Sequence, residues 1–582
     1  MNLTQIYKAL WLSLLVPFMS SCDDMLDVTP QDKLTPETFF RSESELELYT
    51  NKFYAANLPG ASIFTDKGDI VIPLELDKAI SCQRTITETS SQWSWTALRD
   101  INFYLEHSAN CSDASARTHY DGIARFFRTM FYFAKVKNFG DVPWCTVALG
   151  SDDAALYGPR TPRETVVQNM LEDLDYAISA LPSSHDVYRI TKWTALALKS
   201  RICLFEGTFR KYHGLGDYAK YLELCVEASD EIIKNGGYSI YKKGTLPYRD
   251  LFRMIDANPD EMILARQYLG SQNIRHNAQS VVYSAGQAQF GATQRLFKIY
   301  LMKDGSRFSD KDGWETMEFK DETKNRDPRM EQTFCTPGFI HNGVKELPNL
   351  RQTRLGYQRG KYVYDDPMYN SNGSDVDLPI FRYAEVLLNY AEAKAELGTI
   401  SQSDIDRTIK LLRDRVDMPT LDMANANAHP DAILESAVYG YPNVDKGPNK
   451  GVILEIRRER TVELAFEGFR FDDILRWKEG AAYNQPMLGM YFPGLGEYDL
   501  DGDGTMDVFV HDGSGSSNCE VKLHIGENIT LTHGTYGNIL VHDQIVRKWN
   551  ETRDYFYFIP SKERVLNPSL TQNPGWNDGL GL

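Results

Sequence analysis

One stretch constrains the fold more than any other, because residues 378–419 carry apolar side chains at the spacing of two successive helices. Gly398 lies where the first helix would need a left-handed residue to end, and Ser401 or Ser403 can cap the second. This pattern predicts an antiparallel pair of the tetratricopeptide kind, which must stack on other pairs because it cannot bury its apolar face alone. The residues predicted to be buried are Ile380, Ala384, Leu387, Leu388, Ala391 and Ala395 in the first helix, and Ile405, Ile409, Leu412 and Val416 in the second.

The N-terminus has the features of an exported protein. Lys8 precedes an apolar run at 9–19 that is too short to span a bilayer, which needs about 20 residues. Small residues and then Cys22 follow it directly, an order that resembles the signal of bacterial lipoproteins. Acylation of Cys22 would anchor the chain without a transmembrane helix. The alternative is an ordinary secretory signal with an incidental cysteine.

Helical periodicity alternates with irregular sequence along the rest of the chain, whose 582 residues exceed what one core usually holds. We therefore predict a mainly α fold of stacked, tetratricopeptide-like helix pairs (an α-α superhelix) with an irregular, loop-rich second lobe. The predicted segments are a signal peptide at 1–21, a lipid-anchored tether at 22–38, an N-terminal helical part at 39–235, an inserted loop-rich lobe at 236–378, helical pairs that complete the scaffold at 379–478 and a loop-rich C-terminal part at 479–582.

Charge and motif content exclude several classes of function. The formal net charge is −17 at pH 7, whereas nucleic-acid binding rests on clustered Lys and Arg. An acidic chain with 32 Tyr suits neutral ligands such as sugars. The sequence contains no HExxH, GxSxG, GxGxxG or P-loop motif, so metalloprotease, hydrolase-elbow and nucleotide-binding functions lack support.

Short motifs along the chain form a series in a fixed order. They are Cys22–Asp27 with Pro36–Phe40, Ala124–Arg125 with Phe139–Pro143, Asn325–Arg329, Arg382–Glu385, Glu459–Arg460 with Glu467–Arg470 and Arg476–Trp477, and Asn567–Pro568 with Gln572–Trp576. Each is weak alone, but in this order over nearly the whole chain after Cys22 they are specific. Together they resemble the SusD/RagB family of outer-membrane, glycan-binding lipoproteins.

The resemblance implies both an architecture and a role. The architecture is a helical, tetratricopeptide-like scaffold with a loop-rich second lobe. The role is that of a surface-exposed lipoprotein of the outer membrane that captures oligosaccharides without catalysis, as the lid of a TonB-dependent, SusC-like transporter. Asp23 and Asp24 resemble a surface-export signal of Bacteroidetes-type lipoproteins. The same lid role for peptides, as in the RagB branch, and a surface glycoside hydrolase are the alternatives.

The acidic segment 499–507 has the spacing of a calcium loop. Its side-chain oxygens occupy positions 1, 3, 5 and 9, with Gly504 at position 6, as in an EF-hand. Position 12 is Val510 rather than Glu, so the bidentate ligand is missing from the loop. The alternative is an acidic, solvated turn. The predicted ligands of a structural Ca²⁺ are Asp499, Asp501, Asp503, Thr505 through its carbonyl, and Asp507.

An oligosaccharide site needs flat aromatic faces against sugar C–H bonds and planar hydrogen-bonding groups beside them. Trp314 follows Gly313 among charged residues and is the predicted exposed platform. The alternative for each Trp is core packing, which the position before a helix favours for Trp95. The resemblance gives the general place of the site but no residue identities. The predicted ligand-binding residues are Arg84, Trp93, Trp95, Tyr283, Gln287, Gln289 and Trp314.

Alternating charges between Glu455 and Arg476 suggest, at first sight, the paired carboxylates of a glycosidase. Charges spaced three and four residues apart first form ion pairs along a helix. The spacing therefore favours a structural role, and no catalytic residue is predicted.

Cys22→Ala is expected to release the protein from the membrane fraction, because the acyl chain is its predicted anchor. Cell fractionation combined with metabolic labelling by a fatty-acid analogue measures this. Cys82→Ala, a change at a cysteine far from the signal, should keep both the label and the membrane association. A Cys22→Ala protein that partitions into envelopes as its parent does would contradict the lipoprotein assignment.

Overall fold

The computed structural model describes residues 39–60, 68–283 and 290–580. The predicted signal peptide and tether, with Cys22, lie outside the described residues, as do Gln287 and Gln289. Most of the regular structure is helical, so the predicted mainly α class is confirmed.

Long helices build the N-terminal part, and short helices and strands predominate elsewhere. The helices are α1 (Glu43–Asn57), α2 (Thr96–His107), α3 (Ala114–Phe139), α4 (Arg163–Ala180), α5 (Lys192–His213), α6 (Tyr218–Asn235), α7 (Pro247–Leu251), α8 (Ser280–Tyr283), α9 (Gln294–Ile299), α10 (Phe319–Glu322), α11 (Arg329–Thr333), α12 (Tyr383–Glu396), α13 (Gln402–Asp406), α14 (Ile409–Asp414), α15 (Met423–Ala428), α16 (Ala432–Glu435), α17 (Lys450–Glu463), α18 (Arg470–Arg476) and α19 (Ser561–Leu566). The strands are β1 (Val71–Ile72), β2 (Met262–Arg266), β3 (Gly291–Ala292), β4 (Ile340–His341), β5 (Val344–Lys345), β6 (Leu378–Arg382), β7 (Met487–Phe492), β8 (Gly496–Tyr498), β9 (Val508–His511), β10 (Val521–His524) and β11 (Gly537–Val541).

The strands form small separate sheets rather than one large one. β1 pairs with β3, β2 with β6, β4 with β5 and β7 with β11, all antiparallel. β8 and β9 pair antiparallel, and β10 joins β9 in parallel to complete a three-stranded sheet. Such small sheets cannot form a scaffold by themselves, so they depend on the hydrophobic core beneath them.

Helix pairs pack closely in the N-terminal part. α5 and α6 are joined by residues 214–217, and a Cβ atom added at Gly207 would lie 2.7 Å from the side chain of Leu222. The two helices therefore approach more closely here than any larger residue would allow. Cys203 and Cys225 lie buried in this pair, as the apolar runs around them indicate.

The segment 378–419 follows the predicted helix pair in part. α12 is followed by Gly398, whose φ of 76° is left-handed, and the Ser401 hydroxyl accepts the N–H of Asp404 as the cap of α13. The predicted second helix is broken between α13 and α14 at Thr408, whose φ of −130° and ψ of −86° are not helical. Its predicted core residues Ile405, Ile409, Leu412 and Val416 are all buried.

The prediction that Ile380 lies on the first helix face is wrong. Residues 378–382 form strand β6, which pairs with β2. Every residue of this strand is buried, which a helix with a single apolar face does not provide. A short apolar run buried on both sides is typical of a strand, and the helix begins only at Tyr383.

Two large hydrophobic cores lie beneath these elements. The first gathers α1–α6 with α12 and the N-terminal half of α17. The second gathers parts of 70–80, 248–378 and 462–555, so the two loop-rich segments of the sequence share one core. α17 belongs to both, with Ile453 and Ile456 in the first core and Val462 in the second.

The charged side chains of α17 and α18 point into the interior. Glu463 is fully buried, and its carboxylate lies 2.8 Å from Arg382, 3.2 Å from Arg415 and 3.3 Å from Arg329. Burial alone would raise the pKa of Glu463, but these three guanidinium groups lower it to about 2.

The prediction that these charges pair along a helix is correct only in part. Arg458–Glu455 and Arg476–Asp473 have the predicted spacing of three residues along a helix. Other ion pairs join α17 and α18 to distant segments, such as Arg476 with Glu392 of α12. The interior therefore uses these charges as tertiary contacts, which sequence spacing cannot reveal.

Glu463→Gln is expected to lower the free energy of unfolding by about 3–5 kcal/mol, because it leaves buried arginine charge without its counter-charge. Urea denaturation followed by circular dichroism measures the change. Glu47→Gln is the matched control, since its partner Arg189 lies 3.7 Å away and both side chains are about half exposed. That surface change should cost no more than about 0.5 kcal/mol.

The difference in the free energy of unfolding between wild type and Glu463→Gln should depend on pH. The folded-state pKa of Glu463 lies below its ordinary value of 4.5, so its stabilising contribution is present above that pH and is lost as the pH falls through about 2. The gap between wild type and Glu463→Gln should therefore stay constant near neutral pH and close in acid. Equal stability of the two proteins at neutral pH would contradict the role given to Glu463.

Candidate functional site

A cleft of about 520 Å³ lies where three segments far apart in the sequence meet. Its first wall is the start of α2 with Trp95, its second is the loop 143–157, and its third is α19 with residues up to Leu570. The lining is mostly apolar and aromatic, with the charged Arg99 and Glu563 also present. Concave, largely apolar sites with a few polar groups are typical of small-molecule binding.

Two asparagines fix the loop that forms the second wall. The Asn102 side-chain amide donates to the carbonyls of Cys145 at 3.0 Å and Val147 at 3.1 Å. The Asn567 amide donates to the carbonyls of Leu156 at 3.0 Å and Gly158 at 2.9 Å. These bonds tie the loop to the other two walls, so the cleft is formed before any ligand arrives.

Trp93 and Trp95 play different parts in this cleft. Trp93 is 5% exposed and packs edge-on against Phe139 with ring centroids 4.8 Å apart. Trp95 is half-buried and meets the Trp93 ring edge-on at 5.3 Å. Trp93 thus supports Trp95, and Trp95 presents more surface than the core packing considered for it from sequence. On the second wall Tyr157 is 56% exposed.

Arg84, a predicted ligand-binding residue, lies in the interior rather than in the cleft. Arg84 is 5% exposed, its guanidinium donates to the carboxylate and carbonyl of Asp554, and it stacks 4.4 Å from the Tyr557 ring. An arginine with these partners packs the C-terminal segment onto the body of the protein. Its sequence context, an irregular loop, gave no sign of that burial.

Tyr283 and Trp314 have surroundings of their own, and neither lines the cleft at Trp95. The Tyr283 hydroxyl donates to Glu346 at 2.9 Å, and its ring lies 4.5 Å from His341. Trp314 is half-buried with its ring 5.4 Å from Tyr439. The structure therefore separates the predicted ligand-binding residues that it describes into different groups.

Sequence reasoning missed Arg99, Tyr157 and Asn567 in the cleft. Arg99 lies on α2 one turn after Trp95, a spacing that the sequence does show. Tyr157 and Asn567 lie in segments that are more than four hundred residues apart, and only the folded chain brings them together.

The acidic segment 499–507 is the connection between β8 and β9. Carboxylate oxygens of Asp499, Asp501 and Asp507 lie within 4.8 Å of one another. Asp503 is not part of this group, and its carboxylate accepts the N–H of Thr505 at 2.7 Å. The structure thus brings together three of the predicted ligands, and their hard oxygen donors fit Ca²⁺.

The electrostatics of this loop also fit a cation. Burial raises the pKa of Asp507, and the neighbouring carboxylates of Asp501, Asp499 and Asp503 raise it further. These groups repel one another, and a bound divalent cation would remove that repulsion.

Across the described ranges, none of the helices combines the length and the apolar character that crossing a bilayer demands.

Two family models match the sequence. The model described as "SusD family" matches residues 261–576, and the model described as "Starch-binding associating with outer membrane" matches residues 24–204. Among curated relatives, SusD-like protein P2 of Formosa agariphila is 23% identical over 81% of this chain and 91% of its own length. The match to SusD-like protein P25 of the same organism is 26% identical and spans 37% of this chain but only 45% of that protein.

Solved structures share the fold. A SusD-like carbohydrate binding protein from Bacteroides fragilis superposes with a TM-score of 0.69 at 22% identity, over 92% of this chain and 100% of that one. A structure described with a xylogluco-oligosaccharide superposes with a TM-score of 0.60 at 18% identity, over 91% of this chain and 99% of that one. With one family model covering more than half of its length, the chain belongs to the SusD family.

Proposed function

We propose that this protein is a non-catalytic, surface-exposed lipoprotein that captures oligosaccharides and serves as the lid of a TonB-dependent, SusC-like transporter. The observation that carries the proposal is the preformed cleft with Trp95 on one wall and Tyr157 on another. The name of the Bacteroides fragilis neighbour as carbohydrate binding, and the xylogluco-oligosaccharide named with another neighbour, support a sugar as the ligand.

The cleft offers the two kinds of contact that a sugar needs. The faces of Trp95 and Tyr157 can stack against sugar C–H bonds. Arg99, which is exposed, and Glu563, which is half-buried, can exchange hydrogen bonds with hydroxyl groups at the edge of the cleft. A sugar whose hydroxyl groups cannot reach these side chains would lose hydrogen bonds, so the edge contacts would distinguish one sugar from another.

The distribution of carboxylates supports binding rather than hydrolysis. A glycosidase needs a pair of carboxyl groups on either side of the scissile bond. Glu563 is the one carboxylate among the described residues that line the cleft. Glu459 and Glu463 of α17 are buried in ion pairs with arginines and are closed to substrate.

Anchoring and partnership fit the same proposal. An acylated Cys22 would hold the protein at the outer membrane, and the transporter would hold it over the pore. Tethering converts ligand transfer into a local event at high effective concentration, so a weak site suffices. The family model whose description names association with the outer membrane supports this location.

One observation favours a second candidate, the same lid role for peptides. Val147, Leu156 and Leu566 line the cleft and are between 42% and 59% exposed. Exposed aliphatic side chains around a groove suit the apolar side chains of a peptide better than sugar hydroxyls.

Trp95→Ala is expected to weaken oligosaccharide binding at least about tenfold, because it removes the main stacking face of the cleft. Isothermal titration calorimetry with malto-oligosaccharides, xylogluco-oligosaccharides and a peptide library measures the loss and separates the two candidates. Tyr536→Ala, at an exposed aromatic residue outside the cleft, is the matched control and should bind as wild type does.

Two results would contradict the proposal. If Trp95→Ala binds oligosaccharide as wild type does and Trp314→Ala loses affinity, the binding site lies at Trp314 instead. Release of reducing ends from an oligosaccharide, abolished by Glu563→Gln, would make the protein a hydrolase.

We also propose that the loop 499–507 holds a structural Ca²⁺. Asp499, Asp501 and Asp507 would supply side-chain oxygens, and the ion would fasten the turn between β8 and β9. These three carboxylates leave room in a shell of about six to eight oxygens, which backbone carbonyls and water can fill.

Ca²⁺ at about 100 times its Kd is expected to raise the free energy of unfolding by about 2.7 kcal/mol, and Asp499→Asn should abolish the effect. Urea denaturation with Ca²⁺ or with EDTA measures it. Asp512→Asn, at a fully exposed carboxylate in the next loop, should keep the response. A wild type that EDTA leaves unchanged would identify the loop as a solvated acidic turn.

A further inference from the structure

Lys135 is a buried cation beneath the loop that carries Trp95. It belongs to α3, is 6% exposed, and does not line the cleft. Its ammonium donates to the carbonyl of Gln92 and, at 2.7 Å, to the carbonyl of Ser94. It also lies 5.3 Å from the centre of the Trp95 ring. One side chain thus contacts both the backbone and the aromatic face of this loop.

The surroundings of Lys135 are unusual for a buried charge. Buried lysines are nearly always paired with a carboxylate. In the part of the chain that the structure describes, no carboxylate forms an ion pair with Lys135, and residues 90–95 contain no charged side chain. Two carbonyl groups and the rings of Trp95 and Phe131 are what stabilises the ammonium.

A second lysine holds the segment of Trp314, the other half-buried tryptophan that was predicted to bind a ligand. Lys298 of α9 is 1% exposed and donates to the carbonyl of Trp314 at 2.8 Å. Unlike Lys135, it also pairs with the buried carboxylate of Glu322 at 2.7 Å. The two lysines therefore differ, because the charge of Lys298 is balanced by an acid, whereas the described contacts of the Lys135 ammonium are with the loop and with the ring of Phe131.

We propose that Lys135 is the positioning residue that fixes Trp95 in its binding orientation, an inference that rests on the proposed ligand-binding function of the cleft. The 3₁₀ turn Ser91–Trp93 is short, and its backbone bonds run from Trp93 N–H to the Ser90 carbonyl and from Ser94 N–H to the Ser91 carbonyl, with the Ser90 hydroxyl accepting the N–H of Gln92. Such a turn holds its shape weakly by itself. The ammonium adds two charge-assisted bonds from below, which are stronger than neutral ones.

The ionisation of Lys135 gives this role a signature. Burial lowers the pKa of Lys135 to about 8, so the ammonium is charged at neutral pH and loses its proton as the pH rises through that value. The titratable groups around this loop include Tyr132, whose ring meets Trp95, and Cys145, Arg99 and Glu563, which line the same cleft. Burial raises the pKa of Tyr132 and of Cys145, so both stay neutral as Lys135 loses its proton. The loop that carries Trp95 should therefore be more mobile above about pH 8 than below it.

The test is amide hydrogen exchange in the ligand-free, full-length protein. In Lys135→Met, the protection of the Trp93 and Ser94 amides is expected to fall at least tenfold. Lys137→Met is the matched control, because Lys137 lies on the same helix but pairs with Asp472, and it should leave these amides protected. Unchanged protection in Lys135→Met would overturn the inference.

The wild-type protein gives a measurement that does not depend on a variant folding. Protection of the Trp93 and Ser94 amides, corrected for intrinsic exchange and compared with amides of α5, should fall between about pH 7 and 9, and a flat profile would overturn the inference. Calorimetry with a xylogluco-oligosaccharide should show weaker binding by Lys135→Met than by Lys137→Met. Absence of binding by the wild type would count against the proposed function, whereas the exchange data would still decide the role of Lys135.

Discussion

The structure depends first on the buried charges gathered around Glu463. Arg329 of α11, Arg382 of β6 and Arg415 after α14 all reach this carboxylate, and Arg382 and Arg415 also reach Glu261 at the start of β2. These segments belong to both hydrophobic cores. Such contacts are directional, and a missing partner leaves a charge in the interior, so they fix how the two cores meet more strictly than apolar packing can.

Because this junction between the two cores is fixed, loops can form the walls of the cleft at Trp95. The helix pairs pack around one hydrophobic core, and most segments that line the cleft lie at its surface, where changes in sequence alter the cleft without disturbing the core. Asn102 and Asn567 hold the wall loop through its carbonyl groups, and Lys135 holds the opposite loop in the same way. These hydrogen bonds use backbone carbonyl groups, so the side chains of both loops remain available to contact a ligand.

Features encoded locally could be predicted from the sequence. The cap at Ser401, the left-handed Gly398 and the acidic turn after β8 all depend on residues close together in the chain. Features that depend on distant segments could not be predicted. Strand β6 needs β2 more than one hundred residues away, the partners of the α17 charges lie on other elements, and Arg84 is buried by the C-terminal segment. Hydrophobic periodicity indicates which face of an element is apolar, but it does not indicate which segment packs against that face.

The position of the third wall has a consequence for how the protein matures. Trp95 and Leu570 line the same cleft, but Trp95 is synthesised early and Leu570 close to the end of the sequence. A nascent chain that stops before Leu570 has helices and most of its interior but lacks a complete cavity. A molecule shortened before Leu570 therefore lacks the third wall, and the complete cleft requires an intact C-terminal segment.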